Sequence, residues 1–133
     1  MEFKGKKHVV NKNKSFIDSF SHAYEGIISA LYKERNMHVH MVMAVLVIAA
    51  GVIFKISYAE WLTCMIFIAL VITAELINTS IEAVVDMITT KENDFAKVAK
   101  DTSAGAVLVV SLMAAFVGLI IFIPKIVYFF MNL

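Results

Sequence analysis

Three apolar runs, each long enough to cross a bilayer, constrain this chain more than any other feature. A membrane-spanning helix needs about 20 mostly apolar residues at 1.5 Å rise each. Residues 37–54 (MHVHMVMAVLVIAAGVIF) supply one run, 61–88 a second, and 99–131 a third, which meets Pro124 only near its far end. A single proline and five glycines interrupt 133 residues, of which 60 % are hydrophobic. That apolar fraction exceeds what soluble domains of this size carry. The chain therefore reads as one all-α membrane domain, residues 1–133. Three helices enclose little volume unless copies associate.

The cations give the spans a direction. Lys4, Lys6, Lys7, Lys12, Lys14, Lys33, Arg35, Lys91, Lys97 and Lys100 fall on the side shared by the N-terminus and the second loop. Only Lys55 and Lys125 fall on the other. Short loops rich in Lys and Arg stay cytoplasmic, so the N-terminus is expected inside the cell and the C-terminus outside. Tyr58, Trp61, Tyr128, Phe129 and Phe130 fit an aromatic belt at the outer interface. No secretory signal peptide is expected from the basic, polar N-terminus.

Residues 1–14 read as a loose basic tail. Residues 15–36 (SFIDSFSHAYEGIISALYKERN) place Phe16, Phe20, Tyr24, Ile27, Ile28 and Leu31 at helical spacing, with Asp18, Ser21, His22 and Glu25 between them. Ser15 followed by Asp18 fits a capping box. This segment is expected to be an amphipathic helix lying on the inner leaflet.

The second run changes character without a helix breaker. AELINTSIEAVVD, Ala74 to Asp86, brings in Glu75, Asn78, Glu82 and Asp86. At 100° per residue the four fall within an arc of about 80°, so they form one stripe. Glu75 lies about 21 Å along the helix from Trp61, in the inner third of a ~30 Å hydrocarbon core. A carboxylate at that depth costs ~2.5 kcal/mol or more if it faces lipid. It must face protein, a cation or a wet cleft, and such a group suits general-base work. The bland alternative is a helix–helix hydrogen bond, yet one bond does not require three acids in register.

More polar groups are expected at the same level: Glu34 in KERN, and the loop TTKENDFAKVAKD ending in Lys100 and Asp101. Carboxylates and a lysine at the rim of a membrane can hold a divalent cation and a polyphosphate. There is no G-x-x-x-x-G-K-[ST], no kinase glycine-rich loop, and no strand to carry either. The residues by themselves describe an acid-lined, cation-competent site at the cytosolic membrane face.

The pattern E-x-x-N-[ST]-x-I-E-x-x-x-D, a polar loop, then AKDTSAGAVLV resembles the signature of the prokaryotic diacylglycerol kinase family, small three-span membrane kinases unrelated to soluble ones. The likeness runs from about Ser15 to the C-terminus, and KERNMHVH, Lys33 to His40, is similar to the Gram-positive branch of undecaprenol kinases. The resemblance implies a homotrimer that transfers the γ-phosphoryl group of ATP, with Mg²⁺, to a lipid hydroxyl. It implies Glu75 as catalytic base, with Asn78 its polar neighbour beside the lipid, and Glu34 and Glu82 as metal-binding carboxylates. It further implies His22, Glu34, Glu82, Lys91, Glu92, Asn93, Lys100 and Asp101 around the nucleotide. Undecaprenol is the expected acceptor and diacylglycerol the alternative.

Lesser features take plainer readings. Ala99 with Ser103, Ser111 with Ala115, and Ala114 with Gly118 are small residues four apart, which permit close helix approach and would serve a trimer. His38 and His40 point about 200° apart on a helix and are expected at the interface. Cys64 reads as packing and the methionines as adaptable lipid-facing side chains. Two rivals from other classes, a small proton or cation carrier and a purely structural subunit, fit less well. A carrier needs polar residues at several depths, and the outer halves of the spans are apolar apart from Thr63 and Ser111. No nucleic-acid partner is expected.

Overall fold

The computed structural model describes residues 15–91 and 93–132. The basic tail 1–14 and Glu92 lie outside the described residues. Those described form four helices, α1 (Phe16–Lys33), α2 (Arg35–Ile53), α3 (Tyr58–Ile88) and α4 (Asp94–Met131), and no strand. The last three are each long and apolar enough to cross a membrane.

Each helix begins where local polar chemistry satisfies its first N–H groups. Ser15 Oγ accepts the Asp18 N–H at 3.2 Å, one half of the expected capping box. Glu34 alone separates α1 from α2, in an extended conformation that turns the chain. At the start of α3, Ser57 and Glu60 form a complete, reciprocal box, so this helix starts three residues before the apolar run does. Asn93 caps α4 through Oδ1, which accepts from Phe95 and Ala96, and α4 starts five residues ahead of its apolar stretch. Hydropathy marks where a helix is greasy, whereas capping decides where it begins.

Helices α3 and α4 pack along their length as a hairpin, with α2 laid against α3. At 1.5 Å per residue, the 31 residues of α3 run about 46 Å, which exceeds a ~30 Å hydrocarbon core. Part of α3 therefore stands in the headgroup and aqueous layers.

The packing centre sits at the α2–α3 turn. Ile56, Cys64 and Ile121 are buried there, enclosed by Val47, Phe54, Trp61, Val117 and Phe122. Phe54 meets Phe122 and Phe129 ring to ring. Lys125 Nζ pairs with Glu60 Oε1 at 2.8 Å across α3 and α4. Cys64 is a buried packing residue, as its neighbours implied.

Gly51 is needed in this centre for space. A Cβ there would lie 2.7 Å from the Trp61 ring and 3.1 Å from Ile56 Cδ1. A rigid indole cannot yield as a flexible chain end would. Gly51→Leu is expected to destabilise by about 1–3 kcal/mol, the usual range for overpacking. Thermal unfolding in detergent measures this, and an unchanged Tm would mean that the indole swings clear.

Candidate active site

The polar stripe is present on α3 and grades from dry to wet along the helix. Glu75 is 1 % exposed, Asn78 5 %, Glu82 half-buried, and the Asp86 side chain 62 % exposed. An uninterrupted α-helix repeats the same face every three to four residues, and that alone aligns the four side chains.

Asn78 joins two helices. Its Oδ1 accepts the Ser103 hydroxyl of α4 at 2.6 Å, while its Nδ2 donates to Glu82 Oε1 at 3.2 Å. Ser103 also donates to the Lys100 carbonyl at 2.9 Å. Both ends of the Asn78 amide are thus occupied within the chain, and Glu82 is held with one oxygen engaged. A turn further along, Lys100 Nζ pairs with Asp86 Oδ1. The α3–α4 hairpin is fastened at this end by polar bonds, against apolar packing at the other.

Glu75 meets groups from two directions. His40 of α2 places Nε2 4.0 Å from Glu75 Oε2. The Asn36 amide lies beside the same carboxyl, and Glu34 and Glu82 are within its electrostatic reach. Glu34, Glu75 and Glu82 therefore belong to one neighbourhood although they come from two parts of the chain. Oε2 is buried and has no hydrogen-bond partner.

Beyond Glu82, the end of α3, the link and the start of α4 form a cleft of about 1000 Å³. It collects Lys91, Asn93, Lys100 and Asp101 from the expected nucleotide group, and adds Thr89, Thr90, Asp94 and Lys97. His22 is not brought to it. That imidazole is 64 % exposed and faces Glu25, on its own helix, at 3.7 Å.

The donor chemistry suits a hard cation only in company. Among the described residues, no three His, Cys, Asp or Glu side chains cluster as a metal cage. Glu34 and Glu82 offer two carboxylates. Mg²⁺ in nucleotide sites takes one or two carboxylates and completes its shell with phosphate oxygens and water. The pair fits an ion that arrives with a polyphosphate.

Sequence reasoning missed His40, Asn36 and Ser103 as members of this neighbourhood. The signal for His40 was available. Met37, His40, Ala44, Val47 and Gly51 recur at three- and four-residue spacing, and all five are buried or half-buried on one face of α2. His38 falls on the exposed side. Ser103 was legible as a small residue but not as a hydrogen-bond partner, since that requires knowing which α3 residue lies opposite.

Comparison with known proteins supplies the family. The family model described as prokaryotic diacylglycerol kinase matches residues 21–122, a stretch that includes all the candidate residues from His22 to Asp101. An undecaprenol kinase of Bacillus subtilis (strain 168) is 40 % identical over 115 residues, covering 86 % of this chain and 94 % of that protein. A diacylglycerol kinase of Synechocystis sp. (strain ATCC 27184 / PCC 6803 / Kazusa) is 32 % identical over 126 residues, or 90 % of this chain and 72 % of its own length. On this match and these identities, the chain belongs to the prokaryotic diacylglycerol kinase family of membrane lipid kinases.

Proposed function

We propose that this protein transfers the γ-phosphoryl group of ATP to the hydroxyl of a membrane lipid alcohol, undecaprenol. One observation carries the proposal. A single helix face joins a buried carboxyl, Glu75, to a wide polar cleft bordered by Asp86, Lys100 and Asp101. A lipid hydroxyl at the membrane surface and a nucleotide in the aqueous layer can meet along that face.

In this reading the acceptor hydroxyl approaches Glu75, which takes its proton as the oxygen bonds to the γ-phosphorus. The bond from that phosphorus to the bridging oxygen breaks, and ADP leaves with the electron pair. Phosphoryl transfer asks a protein mainly for positioning and charge stabilisation, with little covalent chemistry. Lys91, Lys97 and Lys100 line the cleft as phosphate-binding cations, while Asn78 and Ser103 hold Glu82 in register. Glu34 and Glu82 would hold Mg²⁺, whose contribution is to neutralise phosphate charge. Asn93 contributes by shaping the cleft, because its side chain is occupied as a helix cap. His22, exposed on α1, is proposed to reach the nucleotide only in the assembled enzyme; Glu92, also expected there, lies outside the described residues.

The working protein is proposed as a homotrimer in the cell membrane, with the N-terminus and active site cytoplasmic and residues 1–133 acting as one domain. Exposed Phe16, Phe20, Tyr24 and Ile27 support α1 as a surface helix whose apolar side meets the inner leaflet.

The acceptor rests on two observations. An undecaprenol kinase is the relative with the higher identity of the two reported above. An apolar groove of about 440 Å³ runs between α2, α3 and α4, past Ala44, Val71, Ala114 and Gly118. It has the His40 imidazole on its wall and, among the described residues, Ser111 as its one hydroxyl. A single polyprenyl chain fits such walls, whereas diacylglycerol brings two ester carbonyls that find few donors. Purified protein is expected to phosphorylate undecaprenol with higher kcat/KM than diacylglycerol in the same bilayer. An equal or reversed ratio would assign the acceptor to diacylglycerol and leave the kinase chemistry in place.

A further inference from the structure

The orphaned Glu75 oxygen and the half-buried His40 imidazole belong together. Glu75 Oε2 is buried with no hydrogen-bond partner, and the side chain is 1 % exposed. Such a group is costly to leave unpaired, and native structures rarely do so without a functional reason. The nearby ring nitrogen is His40 Nε2 at 4.0 Å, on a side chain only 17 % exposed. That gap exceeds a hydrogen bond by roughly 1 Å, a distance a small rotation of either side chain closes. Catalytic hydrogen bonds are often long before substrate binds and tighten in the reacting complex.

The position of His40 gives the contact a direction. The ring lies on the buried face of α2, between Met37 and Ala44, and also forms part of the wall of the apolar groove. One side of it therefore addresses the carboxyl and another the space proposed for the lipid chain. Asn36, one helical turn earlier, lies beside the same carboxyl. Two side chains of α2 thus reach one carboxyl of α3. A carboxylate has two oxygens, and a base must present one of them to the acceptor while the other is held.

We propose that His40 is a positioning residue for Glu75. Its Nε2–H donates to Oε2 and fixes the carboxylate, while the other oxygen, beside Asn36, keeps a second lone pair for the acceptor hydroxyl at the head of the groove. This rests on the reading of Glu75 as the base. A histidine that merely fills space between α2 and α3 would serve the fold and leave the orientation of the carboxylate unchanged.

The test is a double-mutant cycle on the full-length enzyme in detergent or bilayer, with undecaprenol as acceptor and assembly checked by size-exclusion chromatography. His40→Met removes the donor while filling the gap with an adaptable side chain, and His40→Leu repeats the deletion should the thioether not fold. His40→Gln restores an N–H. The donor-free variant is expected to lower kcat by ~10-fold or more, the lower range for disturbing general-base catalysis, with KM for Mg²⁺-ATP unchanged. His40→Gln should recover most of that loss. In a Glu75→Gln background the same His40 substitution should cost less than about twofold further, because residues that act as a unit are not additive. Full activity in His40→Met, or an equal loss with and without Glu75, would overturn the positioning role while the base assignment stands. Wild-type turnover in Glu75→Gln alone would remove the base assignment, and the role of His40 with it.

Discussion

Glu75→Gln is expected to fold and assemble as the wild type and to turn over ~10²-fold or more slowly, the scale of lost general-base catalysis. The substitution keeps the size and hydrogen-bonding shape of the side chain, so the Asn36 contact and the packing of α2 on α3 have little reason to change. What disappears is the capacity to accept a proton. A buried acid that served only to bond neighbouring helices would behave differently, since membrane hydrogen bonds of that kind average below ~1 kcal/mol and an amide replaces them well. Steady-state turnover of correctly assembled protein separates the two cases. Activity within a few-fold of wild type would assign Glu75 to structure.

The second large effect is expected at the carboxylates proposed for the cation. Glu34→Gln and Glu82→Gln should each raise the Mg²⁺ concentration needed for half-maximal rate by roughly tenfold or more, because each removes a charged hard oxygen from an ion that prefers such ligands. The amide at position 82 could still accept from Asn78 Nδ2, so the bridge through Asn78 to Ser103 survives. That keeps the comparison to charge alone. Titrating Mg²⁺ at fixed ATP gives the result directly. A variant that titrates as the wild type does contributes no ligand.

The parts of this molecule readable in one dimension are those governed by a single helix. The α3 stripe was legible because 3.6 residues per turn places Glu75, Asn78, Glu82 and Asp86 on one face whatever surrounds them. The three apolar runs were legible because bilayer thickness sets their length. The start of α1 was legible from Ser15, but the starts of α3 and α4 were not, since Ser57 with Glu60 and Asn93 with the first turn of α4 are polar and fall outside any hydropathy window. The approach of His40 to Glu75 depends on how α2 is rotated against α3, and the bond from Ser103 to Asn78 on how α4 is set in register. Neither follows from the spacing within one helix. Bringing the Lys91 loop to the same cleft as Lys100 and Asp101 likewise needed the hairpin to close.

The two ends of the α3–α4 hairpin are fastened by different chemistry, and that divides the labour of the molecule. At the end where α3 begins and α4 finishes, Ile56, Cys64, Ile121 and their aromatic neighbours form an apolar clasp in which little can move without loss of dispersion contacts. At the other end, the links are Ser103 to Asn78 and Asn78 to Glu82, both sheltered within the bundle, and Lys100 to Asp86, which is exposed and exchangeable with water at modest cost. The link between α3 and α4 closes the hairpin at this polar end, so the dry clasp holds the two helices together where no covalent link does. Side-chain adjustment around the polar cleft then leaves the apolar clasp untouched, so durability and adaptability reside at opposite ends of the same two helices.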